Sequence, residues 1–232
     1  PDLVALGRIC ASAELRTNKE HYTVTPMPNL SLLPRTPDRA TLPFLPQAAL
    51  ARGRVHEICG PARRSLALWI AGQTQGPVIW IHAAWQTERL NPDGLHRFID
   101  PARLLCISPD RPQDILWTME EVLRCGCAPL AVADLGAPPA LTPVRRLHLA
   151  AGTPEPAAAP LGLLLCPGDG GAPGVESRWH FAPVHAPGRQ LWRLDRRRAR
   201  PEPPRVWDIA QTRPRGAPVV VPGSAPAPGS AP

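Results

Sequence analysis

The chain predicts an α/β fold: a mostly parallel sheet with helices on both faces and an antiparallel extension at its C-terminal edge. Three observations carry this. From residue 53 onward, short apolar runs alternate with segments of helical period. Runs such as Pro129–Ala133 and Leu161–Cys166 are apolar throughout, the pattern of strands buried on both faces. After Gly174 the helical pattern stops, and strands bearing Trp179, Trp192 and Trp207 follow, joined by short turns.

The elements follow in order. Arg54–Cys59 reads as a strand and Ser65–Gln75 as a helix, with Gly76-Pro77 as the turn into the short strand Val78–Ile81. Pro92–Ile99 reads as a short helix capped by Asn91, with Pro92 at its first position. Leu104–Ser108 is a strand. Arg111–Cys125 is an amphipathic helix: Ile115, Leu116, Met119, Val122 and Leu123 share one face, and Gly126 ends it. The strand Pro129–Ala133 leads to Asp134. Thr142–Ala151 is a helix with Thr142 as cap and Pro143 first, and Leu161–Cys166 is the next strand. Arg178–Val184, Gln190–Ala199 and Arg205–Ile209 form the antiparallel extension.

The domain layout follows composition. Residues 1–46 are a Pro-rich arm without sustained period, 47–212 the core domain, and 213–232 a Pro/Ala/Gly/Ser tail expected to be disordered. The first Met is Met27, which suggests that translation starts there. Arg16–His21 can be encoded with two direct GAAC repeats, which resembles a bacterial SOS operator read as protein.

Composition narrows the function classes. The net charge of +7 permits contact with nucleic acid or an acidic protein and equally fits ordinary solubility charge. No apolar run approaches the ~20 residues that span a bilayer, and no signal pattern is present, so the expectation is a cytoplasmic protein without membrane contact. The six cysteines are expected as reduced thiols, with Cys59, Cys106 and Cys166 in buried strands. Cys125-Gly-Cys127 has the wrong spacing for a zinc knuckle, and no metal site is expected. Trp69, Trp80 and Trp117 are assigned to the core, and Trp85, Trp179, Trp192 and Trp207 to loops or edges.

The candidate site begins at Gly60. A strand running into Gly60-Pro61, followed by an apolar helix from Ser65, is the layout of a phosphate-binding loop. A working loop needs nested backbone N–H groups, a Lys for the β/γ oxygens and a Ser/Thr for magnesium. Here the loop is shortened to Pro61–Arg64, and no Gly-Lys-Ser/Thr follows. Gly60, Arg63, Arg64, Ser65 and Asp134 therefore mark a degenerate nucleotide site. Its alternative is a plain strand-to-helix turn, with Asp134 as a strand-end acid. After Val78–Ile81, where such an ATPase carries its water-activating carboxylate, stand His82, Ala83 and Ala84, with Glu88 further on. His82 reads as a surface or capping residue. No catalytic residue and no required cofactor are expected, a vestigial ATP site aside.

Two further segments are open. Gly168–Gly174 is a flexible loop that either contacts DNA or simply connects. Arg193, Arg196, Arg197, Arg198 and Arg200 are the densest positive segment. Arg196 and Arg198 share one face of a strand, and Arg193 and Arg197 the other. DNA backbone, an acidic partner and a charged edge that resists aggregation all fit.

Several runs carry a family resemblance. Ala102–Pro109, Ile115–Cys125, Ala131–Leu135 and Ala140–Pro143 resemble the core of RecA recombinases in order and spacing. Arg54-Val-His-Glu57 with Gly60, Leu116–Glu121, Leu141-Thr-Pro143 with Arg145-Arg146-Leu147, and the Trp-rich end resemble the ImuA family, RecA-like accessory proteins sometimes grouped with SulA-like proteins. The similarity spans roughly residues 50–210. It implies a RecA-like P-loop-type core and a role in SOS-induced error-prone translesion DNA synthesis. The implied partners are an ImuB-like Y-family polymerase relative and a C-family DNA polymerase, with DNA contact an added option. The expected protein is a non-catalytic adaptor. Two alternatives are a DNA-stimulated ATPase with a rearranged phosphate loop and a SulA-like cell-division regulator.

Overall fold

The computed structural model describes residues 40–155, 158–200, 202–211, 214–216 and 218–221. Most of the expected arm, the proposed start at Met27 and most of the tail lie outside these residues.

Two sheets form. The strands β1 (Thr41–Leu45) and β2 (Ala48–Ala51) make an antiparallel hairpin. It begins inside the segment expected as an arm, because Leu42, Phe44, Leu45, Ala48 and Leu50 are buried and anchor it to the core. Phe44 meets Trp179 edge to face, with ring centroids 5.2 Å apart.

The large sheet has nine strands. In chain order they are β3 (Arg54–Cys59), β4 (Val78–His82), β5 (Leu104–Ile107), β6 (Leu130–Asp134), β7 (Leu161–Leu165), β8 (Ser177–Pro183), β9 (Leu191–Ala199), β10 (Arg205–Ala210) and β11 (Val219–Val220). Their spatial order is β11-β10-β9-β8-β3-β7-β6-β4-β5. From β8 to β5 every neighbouring pair is parallel, and from β8 to β11 every pair is antiparallel. The expected mixed α/β architecture and its antiparallel extension are thus present. Val219–Val220 extends that edge from within the segment expected to be tail.

Period-2 alternation sorts the core into two layers. Trp80, Leu130, Val132, Leu161, Leu163 and Leu165 face the layer of α1 (Arg63–Gly72), α2 (Pro92–Leu95) and the hairpin. Ile79, Ile81, Ala131, Ala133 and Leu164 face α3 (Pro112–Cys125) and α4 (Leu141–Ala151). The helix α1 buries every residue from Leu66 to Ala71, because Trp69 packs on Phe98, Phe181 and Trp192 as well as on the sheet. A Cβ on Gly162 of β7 would stand 3.0 Å from Met119 of α3, so glycine permits that helix's close approach.

Helix ends follow their capping chemistry, with adjustments. Asn91 accepts the N–H of Asp93 as expected, but α2 stops at Leu95 and the chain continues in turns. Gly126 closes α3 in the left-handed conformation, φ 63°. The cap of α4 lies two residues earlier than expected, at Ala140 rather than Thr142. Pro143 then falls in the first turn, where its missing N–H costs nothing.

Burial departs from expectation at three places. The strand β5 is a sheet edge, so Cys106 is exposed rather than buried, together with Leu105 and Ile107. Trp117 is 58% exposed on α3, whereas Trp179 and Trp207 are buried beneath the antiparallel extension. His82 is buried, since it ends an interior strand.

Candidate functional site

Open parallel sheets bind ligands beyond the carboxyl ends of their strands, where the strand order reverses. Here α2 leads from β4 to the edge strand β5, and α3 returns on the opposite face to β6. The reversal lies between β4 and β6, whose last residues His82 and Asp134 are register partners. A cavity of about 340 Å³ opens there beside Trp80, Leu95 and Leu104. A second, of about 640 Å³, lies beside Trp85, Ile115 and Leu135. Asp134 lines both.

The first turn of α1 delivers two arginines to this point. Arg64 Nε donates to Asp134 Oδ2 at 2.6 Å, and Arg63 Nη2 lies 3.7 Å from Oδ1. The Asp134 side chain is 2% exposed, so this charge compensation is interior. Gln86 Nε2 lies 3.4 Å from the same carboxylate, and Arg64 also reaches Glu88 at 2.9 Å. The Arg64 guanidinium therefore sits directly against this carboxylate. Among the described residues no group of three or more His, Cys, Asp or Glu side chains is placed to hold a metal.

The backbone of the loop from β3 to α1 faces protein, not ligand. Gly60 has φ 91°, and its N–H donates to Gly168 O at 2.8 Å. The N–H of Ala62 donates to Phe181 O at 3.0 Å, and that of Arg63 to Gly60 O at 3.3 Å. A phosphate loop needs such N–H groups turned into the anion site. Ser65 sits half-buried in the first turn of α1. Arg63, Arg64 and Asp134 thus come together, while the Gly60 N–H points to β7's following loop.

His82 shares a hydrogen bond with Ser108 through Nε2, at 3.0 Å. Burial, with the nearby Arg89, holds its pKa below the usual value, so the ring is neutral. Ala83 and Ala84 carry no acid–base group, and Glu88 is 75% exposed in its pair with Arg64.

Glu57, fully buried on β3, takes a role that sequence reasoning did not assign. Its Oε1 accepts the N–H groups of Gly171 at 2.8 Å and Ala172 at 3.0 Å, and its Oε2 pairs with Arg178. Arg178 in turn donates to Ala172 O at 2.9 Å. The loop Gly168–Gly174 is therefore pinned to the sheet. A carboxylate inside the apolar run Val55–Cys59 was the available signal, because a buried charge needs partners.

The arginine segment of β9 lies apart from Asp134, with β8, β3 and β7 between them. Arg196 is not on the surface as expected. It is 3% exposed, lies over the rings of Trp179 and Trp207, and donates to Pro203 O. It shares the buried face of β9 with Leu194, two residues before it. Arg193 pairs with Asp208, and Arg197 with Asp169 and Asp195. Among the described residues no ion pair involves Arg198 or Arg200.

No family model and no curated protein matches this chain. Among the described residues no helix is long and apolar enough to cross a membrane.

Proposed function

We propose that this chain is a non-catalytic adaptor with a RecA-like P-loop-type frame, acting in SOS-induced error-prone translesion DNA synthesis. It bridges an ImuB-like Y-family polymerase relative and a C-family DNA polymerase. The family assignment rests on the ordered resemblance of Arg54–Glu57, Leu116–Glu121 and Leu141–Leu147 to ImuA proteins. One observation supports the non-catalytic part. The loop that would cradle a triphosphate spends the Gly60 and Ala62 N–H groups on Gly168 O and Phe181 O, and the arginines that follow it neutralise Asp134. Phosphate binding there would break those bonds first. Leu105, Ile107 and Trp117 are exposed on β5 and α3, the kind of apolar surface that protein partners cover.

Three measurements test this. Calorimetry with Mg-ATP should give no binding heat, and no hydrolysis should occur with or without single-stranded DNA. Deletion of the gene should lower damage-induced mutation, and a pull-down from damaged cells should recover the two polymerases. Tight ATP binding with turnover would overturn the proposal in favour of the ATPase. A filamentation phenotype with unchanged mutagenesis would favour the SulA-like regulator.

A further inference from the structure

Cys125 and Cys127 are both exposed, at the end of α3 on the surface. The left-handed turn at Gly126 folds the chain back on itself, so that the N–H of Cys127 donates to Cys125 Sγ at 3.2 Å. The turn is enforced, since a Cβ on Gly126 would stand 3.1 Å from Pro154. The turn thus brings Cys127 back against the Cys125 sulfur. Cys59 and Cys166 are buried and inert by comparison, and burial pushes the Cys59 thiol up to about 11.

We propose that Cys125 and Cys127 form a thiol–disulfide exchange site that takes a low-molecular-weight disulfide as oxidant and closes to an intramolecular disulfide. Cys125, whose sulfur accepts the Cys127 N–H, is the attacking group. After losing its proton to water, Cys125 attacks one sulfur of the external disulfide. That S–S bond breaks, and one external thiolate leaves with the electron pair and takes up a proton. Cys127, deprotonated in turn, attacks the Cys125 sulfur of the mixed disulfide and expels the second external thiol. Two protein thiols are oxidised, and one external disulfide is reduced to two thiols. The inference is independent of the adaptor reading.

The test uses the full chain with Cys10→Ser and Cys106→Ser, which removes one exposed thiol and one outside the described residues. Glutathione disulfide is added, the reaction is stopped with acid, and the peptide carrying residues 125–127 is analysed by mass spectrometry. The expected product has lost two hydrogens and retains no glutathione. With Cys127→Ser, glutathione should remain on Cys125 at about tenfold or more the wild-type level, because the resolving thiol is gone. Cys125→Ser should react more slowly than Cys127→Ser. Persistent glutathione on the unsubstituted pair, disulfides between chains, or no reaction in either protein would overturn the proposal.

Discussion

Arg64 and Asp134, seventy residues apart in the chain, form a 2.6 Å ion pair at the reversal point of the parallel sheet. The carboxylate is buried, and its compensation comes from the first turn of α1.

Removing Arg64 alone should therefore be costly. Arg64→Met leaves the Asp134 charge with only the more distant Arg63 and Gln86, and unfolding stability should fall by about 3 kcal/mol. The double variant Arg64→Met with Asp134→Leu should recover most of that loss, because the buried charge is gone with its partner. Urea denaturation of the four proteins gives the coupling directly. Equal, additive losses in the single and double variants would show that the pair is not what holds this corner.

Gly60→Ala should destabilise the fold by roughly 1–3 kcal/mol or more, since the backbone is left-handed there. An alanine Cβ would also lie 2.5 Å from Phe181 O, a backbone atom that cannot swing aside. Mg-ATP should not restore the variant's melting temperature. A neutral substitution would mean that the turn at Gly60 is looser than its hydrogen bonds to Gly168 imply.

The sheet was legible because buried parallel strands announce themselves as continuous apolar runs, as in Leu161–Leu165, all buried. Helix ends were legible where a specific cap exists, as at Asn91 and Gly126, and slipped by two residues at α4, where Ala140 offers no cap bond. Edge position was not legible: Leu104–Ile107 reads as interior strand, and only the pairing order puts it at the rim. The positions of Arg63, Arg64 and Asp134 could be read from layout, but not that they pair with one another. Arg196 was misplaced because its aromatic sandwich needs Trp179 and Trp207, distant in sequence.

Glu57→Gln should free the loop Gly168–Gly174. The amide keeps one acceptor but removes the charge that balances Arg178, and stability should fall by about 3 kcal/mol. Hydrogen exchange at Gly171 and Ala172 should accelerate, as both N–H groups depend on Glu57 Oε1. Glu176→Gln, which alters the 3.7 Å and partly exposed pair with Arg54, serves as a control with a change under about 1 kcal/mol. Matching exchange rates in the two variants would remove Glu57 as the anchor of this loop.

His56 should make stability fall with acid. Its Nδ1 lies 2.6 Å from Ser177 Oγ and its Nε2 3.0 Å from Ala51 O, while Trp179 Nε1 donates to the same Ser177 oxygen at 2.6 Å. With that oxygen engaged by the indole, the Ser177 hydroxyl donates to Nδ1, and Nε2–H donates to Ala51 O. Burial lowers the ring's pKa from 6.5 to about 4, so it is neutral at pH 7. Unfolded chains bind this proton near pH 6.5, whereas the folded chain refuses it until about pH 4, so the unfolded state holds more protons between these values. Stability is then fully present above pH 6.5 and lost progressively as pH falls toward 4, by at most roughly 3 kcal/mol. His82 and His180 shift in the same direction, so the test is a difference: wild type against His56→Gln, by urea unfolding at several pH values across that window. The variant should be less stable at pH 7 and should show a shallower decline. Parallel curves for the two proteins would mean that His56 takes up its proton equally well folded and unfolded, and the neutral Trp179–Ser177–His56–Ala51 chain would then be wrong.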